Sequence, residues 1–435
     1  MKKFFHYINN EVLVKAASLN TANISLKILA GILISKFIAL FIGPEGMALI
    51  GNLRNFLSTI QSISIAGLYN GFVKLIAKYK NHIKELTHTL STVFYFGFFL
   101  SLLLAFLCYY NAEFVNELIF FNNNYVYVVE TMAIVLPFYA LNMFVFAIMN
   151  GFSKYKILLV INITGQILGL LVTLLLIKQE NIDGALIAVV ITPALNLLIT
   201  IVGIAFRKNL MSNINITDIQ FSVLKNLSPN MIMALVSSIA LPIVYIIIRN
   251  YIISEIGIKE AGYWTAVTRV SDYYLMFINS LMALYILPRF AELKSRSEFR
   301  KEVFSFYKTV LPIFAIILGI IYLSRSLLVN LLFTEEFRPV EDLMGYQILG
   351  DFMRVMSMVI AYKFLAKKMF THFIIIEIFL FVIMYFSSIY LIDAFGLKGA
   401  VMGHCLSYLM HFGIVLLIFG SSLFGVINDE DIDDF

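Results

Sequence analysis

Charged and polar side chains stand inside long apolar runs of this sequence, and they recur at helical spacing. Asn20, Asn23 and Lys27 are spaced i, i+3, i+7, which places three polar groups on one helix face. Arg54, Ser58 and Gln61 repeat the idea at i, i+4, i+7. Thr265, Arg269 and Asp272 share that spacing, with Asn279 one heptad further on. Tyr245 and Arg249 are four apart, Asp351 and Arg354 three apart, and Glu377 stands alone. The chemistry this set suits is anion recognition. A shielded guanidinium grips a diphosphate through two parallel hydrogen bonds, and an ammonium adds a point charge. Neighbouring amides and hydroxyls can meet sugar hydroxyls.

A structural role competes for some of these groups. Arg354 can pair with Asp351, and Arg269 with Asp272, each pair locking helices together. Lys27 and Arg54 have no acid nearby in sequence, which favours a cavity role. A carboxyl at Glu377 could carry a coupling proton, whereas Glu130 lies near a helix end and reads as exposed. His404, Tyr408 and His411 fall along one helix face and read as a packing stripe before a titrating switch.

The elements that must position these groups are membrane helices. Of 435 residues, 60% are hydrophobic and 14% charged, too little polar material to cover a water-soluble fold of this size. A bilayer crossing needs about 20 apolar residues. Twelve segments qualify: 14–42, 46–73, 88–110, 126–152, 155–177 and 183–206, then 222–253, 261–288, 303–324, 342–366, 369–392 and 398–425. A charge at mid-membrane costs about 2.5–3.5 kcal/mol, so the residues above are expected to face a bundle interior or a watery cavity. Pro137, Pro193, Pro242 and Pro312 lie inside expected helices, where each removes a backbone hydrogen bond and marks a kink, fixed or hinging. Trp264 and the many Tyr and Phe fit interfacial belts. Lys2, Lys3, Phe4 and Phe5 open the chain without a cleavage pattern, so the first span is expected to be retained.

Loop charge gives an orientation. With the N-terminus in the cytoplasm, the inward connections hold most basic residues, from Lys74, Lys78, Lys80 and Lys84 to Lys363, Lys367 and Lys368. The outward ones offer Lys178, Lys259, Arg325, Arg338 and Lys398. Both termini are therefore expected to be cytoplasmic.

The chain also repeats itself. Gly46, Leu68, Tyr69 and Lys78 recur as Gly262, Leu284, Tyr285 and Lys294, and Gly184-Ala185 recurs as Gly399-Ala400. A shift of six helices preserves orientation, which makes the halves parallel repeats. The expected organisation is an N-terminal lobe over 1–210, a cytoplasmic linker over 211–220, a C-terminal lobe over 221–425 and an acidic cytoplasmic tail over 426–435. Paired bundles of this type hold a central cavity and work by rocking one bundle against the other.

Other functions find no support. The basic residues lie in short loops rather than a stripe, so no nucleic-acid partner is expected. No Gly-rich phosphate loop ending in Gly-Lys-Ser/Thr occurs. Cys108 and Cys405 sit in apolar stretches of different halves, which fits neither a disulfide framework nor a metal site, and no cofactor is expected.

Several stretches together resemble a known family. They are Gly43-Pro44-Glu45-Gly46 with Asn52-Leu53-Arg54; Asn70-Gly71-Phe72-Val73-Lys74; Leu241-Pro242 leading to Tyr245 and Arg249; Ser271-Asp272 with Tyr274; Leu287-Pro288; and Gly350-Asp351. The chain resembles the polysaccharide-specific transporters of the multidrug/oligosaccharidyl-lipid/polysaccharide (MOP) superfamily, and among them O-antigen translocases and the lipid III flippases of enterobacterial common antigen. The likeness runs from the first segment to the twelfth. It implies two six-helix lobes in a V, an undecaprenyl-diphosphate-linked glycan moved from the cytoplasmic to the periplasmic leaflet of the bacterial inner membrane, and an ion gradient as the drive. It implies a polysaccharide polymerase and a chain-length regulator as working partners beside the phospholipid bilayer. Lys27, Arg54, Arg249, Asp272 and Asp351 match the family's charged helix positions. Arg269 departs from the small polar residue expected there, which fits a glycan-specific role.

Three other readings compete. A multidrug exporter of the same superfamily would favour an acidic cavity for cationic drugs, against the excess of Lys and Arg inside these segments. A lipid II flippase resembles a fourteen-helix protein, against twelve here. A polymerase or ligase acting on the same glycan would carry a large periplasmic loop, and the longest ones here, near 111–125 and 325–341, are short.

Overall fold

The computed structural model describes residues 11–65, 67–204 and 214–425 of the chain; residues 1–10, 66, 205–213 and 426–435 lie outside it, as do the side chains of 11–20, 204, 226 and 228–230. The described residues are almost wholly helical, without a strand. Helices satisfy every backbone donor and acceptor internally, which is what a bilayer demands.

The first six crossings are built from α1 (Glu11–Phe41), α2 (Gly43–Ser64) with its continuation α3 (Tyr69–Tyr79), α4 (Ile83–Tyr110), α6 (Val126–Gly151) and the two arms of α7 (Tyr155–Ile204). A short α5 (Ala112–Phe120) bridges α4 and α6. The later half contains α8 (Phe221–Glu255), α9 (Ile258–Leu281), a π-turn over Met282–Ile286, α10 (Leu287–Glu292), α11 (Arg296–Leu323), a short α12 (Arg325–Leu332), α13 (Val340–Ala366), α14 (Phe370–Phe395) and α15 (Leu397–Phe424).

Among the described residues, ten helical stretches are long and apolar enough to cross a membrane. The twelve expected from sequence are consistent with them. One stretch, Tyr155–Gly203, is two helices, because Glu180 and Asn181 leave helical backbone geometry. Another crossing, α13, fails on composition alone, since Glu341, Asp342, Asp351, Arg354 and Lys363 dilute its apolar character.

Chain contacts define two compact units, Met1–Ile246 and Ile247–Phe435. The division falls inside α8. The described part of the expected linker is tied to α4 of the first unit: the backbone N–H of Asn215 donates to Ser91 Oγ at 3.0 Å, that of Gln220 to Thr92 Oγ1 at 2.8 Å, and His88 Nδ1 meets the Asp218 carbonyl at 2.9 Å.

In the first unit the arms of α7 fold back on each other. A Cβ on Gly169 would lie 2.5 Å from Thr192 Cγ2, and one on Gly184 would overlap the Leu176 carbonyl oxygen. In the second unit α14 and α15 form the same hairpin. A Cβ at Gly399 would overlap the Leu391 carbonyl oxygen, and one at Gly403 would lie 2.6 Å from Ser388 Oγ.

Backbone turns recur at the offset of the repeat expected from sequence. Asn181 turns the first hairpin at φ 49° and Gly396 the second at φ 62°. Likewise α6 and α13 end alike. Ser153 and Lys368 both adopt φ 57°, and the next N–H reaches back to Met149 O in one case and Phe364 O in the other, each at 2.8 Å. The repeated Leu-Tyr pair marks an interruption in each half: Leu68 and Tyr69 join α2 to α3, while Leu284 and Tyr285 lie in the π-turn. Both correspond to helix breaks within one crossing.

Candidate functional site

In the second unit a buried polar cluster forms around Asp351 of α13. Its Oδ2 accepts from the Tyr274 hydroxyl of α9 at 2.5 Å, and its Oδ1 lies 3.0 Å from His404 Nε2 of α15. Gln347 Nε2, one turn earlier on α13, lies 3.4 Å from Oδ2 and 3.2 Å from His404 Nε2. The imidazole nitrogen thus sits between the carboxyl and the Gln347 amide, donating or accepting according to its tautomer. Ser271 Oγ completes the chain of contacts, 3.1 Å from the Tyr274 hydroxyl. Asp351 is fully buried, and Gln347, His404 and Ser271 nearly so.

Helix packing explains how this cluster closes. A Cβ at Gly350 would lie 2.5 Å from His404 Cδ2 and 2.9 Å from Cys405 Cα. The missing side chain therefore lets α15 approach α13 closely enough for the imidazole to reach the neighbouring carboxyl. That gives the Gly350-Asp351 pair a physical reason.

Arg249 of α8 is also buried in this unit. Its Nε donates to Thr265 Oγ1 at 2.8 Å, and its guanidinium lies over the Trp264 ring at 5.1 Å. Trp264 is therefore a buried platform rather than part of an interfacial belt. A desolvated guanidinium gains from an indole face. Arg354 lies over the Tyr408 ring at 5.4 Å, and Tyr408 in turn packs edge-on against His404. Arg269 is buried on α9, while Asp272 and Asn279 are exposed on the same helix; Glu377 of α14 is half-buried.

The first unit holds the other expected cations. Lys27 is exposed on α1, and Arg54 is half-buried on α2, with Ser58 exposed and Gln61 half-buried beside it. Asn23 accepts from Gln166 Nε2 of α7 at 2.7 Å. Asn20 lies on α1, but its side chain falls outside the described residues. Asn52, from the stretch preceding Arg54, is fully buried and donates to the Ile119 carbonyl of α5 at 2.9 Å, fixing α2 at this level.

Thus Lys27, Arg54, Ser58 and Gln61 belong to the first unit, and Arg249, Arg269, Asp272, Asn279, Asp351, Arg354 and Glu377 to the second. Sequence reasoning missed the role of His404 and Gln347. Gln347 precedes Asp351 by one helical turn and was a readable signal; His404 is 53 residues away and was not.

Together these observations define a multi-pass all-α membrane protein. Its fold matches transporters of the MOP superfamily: an inward-facing multidrug-resistance MATE family transporter superposes with a TM-score of 0.75 at 14% identity, covering 95% of this chain and 98% of that one. The lipid II flippase MurJ, inward closed, gives a TM-score of 0.72 at 16% identity, covering 94% of this chain and 87% of that one. The class is a membrane transporter rather than an enzyme. Residues 38–342 match the polysaccharide biosynthesis protein family, to which the chain belongs. It is 27% identical to the lipid III flippases of Escherichia coli (strain K12) and Shigella flexneri, over 94% of this chain and 98% of each relative.

Proposed function

We propose that this protein flips an undecaprenyl-diphosphate-linked oligosaccharide, a repeat unit of the O-antigen or enterobacterial common antigen type, from the cytoplasmic to the periplasmic leaflet of the bacterial inner membrane. The observation that carries the reading is the near full-length similarity to lipid III flippases. The charged helices support it. Each unit contributes its own cations, Lys27 and Arg54 in the first, Arg249 and Arg269 in the second. These groups bind the diphosphate, and Asn23, Ser58, Gln61 and Asn279 meet sugar hydroxyls. Lys27 and Arg54, exposed or half-buried, contact the headgroup directly. Arg249, held by Thr265 and Trp264, acts through its field.

Movement follows the alternating-access scheme, with the lobes 1–210 and 221–425 as the moving bodies, both termini cytoplasmic, and an ion gradient as the drive. Asp272, Asp351, Arg354 and Glu377 are the charges placed to couple or to brace that movement. A polymerase and a chain-length regulator receive the product.

The test is complementation of a strain lacking its lipid-linked-oligosaccharide flippase. The wild-type chain is expected to restore surface glycan with at least one repeat-unit type. Arg54→Ala is expected to lower transport about tenfold, the loss of one charge-assisted contact, while Arg54→Lys retains part of it. Failure of the well-expressed wild-type chain with every glycan would overturn the function. Equal loss in both variants, with reduced membrane levels, would make Arg54 structural.

A further inference from the structure

A positively charged hollow lies wholly within the second unit, and no residue of the Asp351 cluster lines it. It encloses about 300 Å³ at one end of the unit, where α10 and α13 end, α11 and α14 begin, and α15 finishes. Lys294, Arg296, Lys363 and Lys367 line it, and among the described residues no carboxylate does.

The nearby acids are engaged elsewhere. Glu298 accepts the Lys294 backbone N–H at 3.0 Å in a capping box with Ser295. Glu302 and Glu292 both face Arg289, at 3.3 and 3.7 Å. Glu298 also lends its charge to Lys294 at the rim, but among the described residues no carboxylate lines the hollow beside Arg296, Lys363 and Lys367. Such a gathering is unfavourable unless something anionic joins it.

Three details show a built site. Arg296 Nη1 is buried and has no hydrogen-bond partner. A buried unsatisfied donor costs about 1–3 kcal/mol, and more on a charged group. Lys363 Nζ is held between two rings, 4.2 Å from the Phe299 centroid and 4.8 Å from that of Phe419. Lys367 Nζ is anchored on the Leu293 carbonyl at 2.6 Å. Lys363 and Lys367 are therefore fixed in position rather than waving in solvent, and the aromatic walls supply an apolar flank to a charged pocket.

We propose that this hollow binds a phosphate group, with Arg296 Nη1 and Lys363 Nζ as its donors and Lys294 at the rim. Its position at helix ends, beside apolar rings, suits the phosphodiester of an anionic phospholipid headgroup; free inorganic phosphate shares the chemistry. The proposal is independent of the transported substrate.

The test uses the full-length chain purified in a neutral detergent, with bound lipid read by native mass spectrometry. Phosphatidylglycerol is expected to stay bound where phosphatidylcholine does not. Arg296→Gln with Lys363→Gln is expected to weaken it about tenfold, and Arg296→Lys to retain most of it. Lys294→Glu, a change at the exposed rim, reports if the buried variants fail to fold and is expected to weaken binding too. Displacement by millimolar inorganic phosphate assigns the site to the free anion, and persistence assigns it to the lipid. Equal affinity in wild type and variants overturns the proposal. So does an intact chain that binds neither anion until residues 426–435 are removed, because the acidic tail is then the occupant.

Discussion

The Asp351 carboxyl takes donors from three helices or turns at once: Tyr274, His404 and Gln347. Removing one member of a buried, hydrogen-bonded charged group leaves the others unsatisfied, at about 3–5 kcal/mol. Asp351→Ala is therefore expected to lower the apparent Tm in detergent by roughly 5 °C or more, and Asp351→Asn, which keeps most of the shape, by less. An unchanged Tm in Asp351→Ala would remove the cluster as a brace. Sequence spacing paired Asp351 with Arg354, three residues on. The structure adds donors from two other helices, Tyr274 of α9 and His404 of α15, and lays Arg354 over Tyr408. Local spacing reveals which groups share a face. It is blind to partners that the packing of distant helices supplies, as with His404, and to a ring recruited under a guanidinium, as with Trp264.

At the scale of elements, the two hairpins are the most constrained joints. Asn181 holds a backbone conformation, φ 49° with ψ −117°, that side chains resist, and its counterpart in the second half is Gly396. Asn181→Gly is expected to be neutral or to stabilise by up to about 1 kcal/mol, whereas Gly396→Val destabilises. The same comparison applies one turn later. Gly184→Val and Gly399→Val both drive a side chain into a carbonyl of the preceding helix. Both are expected to reduce the monodisperse fraction in fluorescence-detected size-exclusion chromatography, and a normal profile for either would refute the close packing. These joints were partly legible. The Gly-Ala pairs gave the offset, and the apolar runs stopped at 177 and resumed at 183 around the break at Glu180 and Asn181. The short α5 and α12 were not legible, because their apolar residues continue the pattern of neighbouring crossings.

For the whole molecule, the recurrence of turns some 215 residues apart requires matched sides, since six crossings separate each pair. In a background lacking Cys108 and Cys405, cysteines at Ser153 and Lys368 are expected to react from the cytoplasmic side only, and cysteines at Asn181 and Gly396 from the opposite side only. Labelling of Ser153 and Lys368 from opposite sides would break the parallel repeat; labelling of all four with the sides exchanged would reverse the orientation. The class, an all-helical protein with many crossings, could be read from the sequence because hydropathy is summed over many residues. The roles of individual charges depend on single contacts and could not.

The polarity of α13 has a consequence for biosynthesis. Asp351 leaves the ribosome 53 residues before His404, and at about 5–20 residues per second that is an interval of roughly 3–10 s. During it, a span carrying five charged residues must enter the bilayer, or linger at the translocon, before the helix bearing its imidazole has been made. Lateral release of this segment is therefore expected to be delayed until α15 arrives, so that nascent chains truncated ahead of His404 stay cross-linkable to the insertion machinery while longer ones let go.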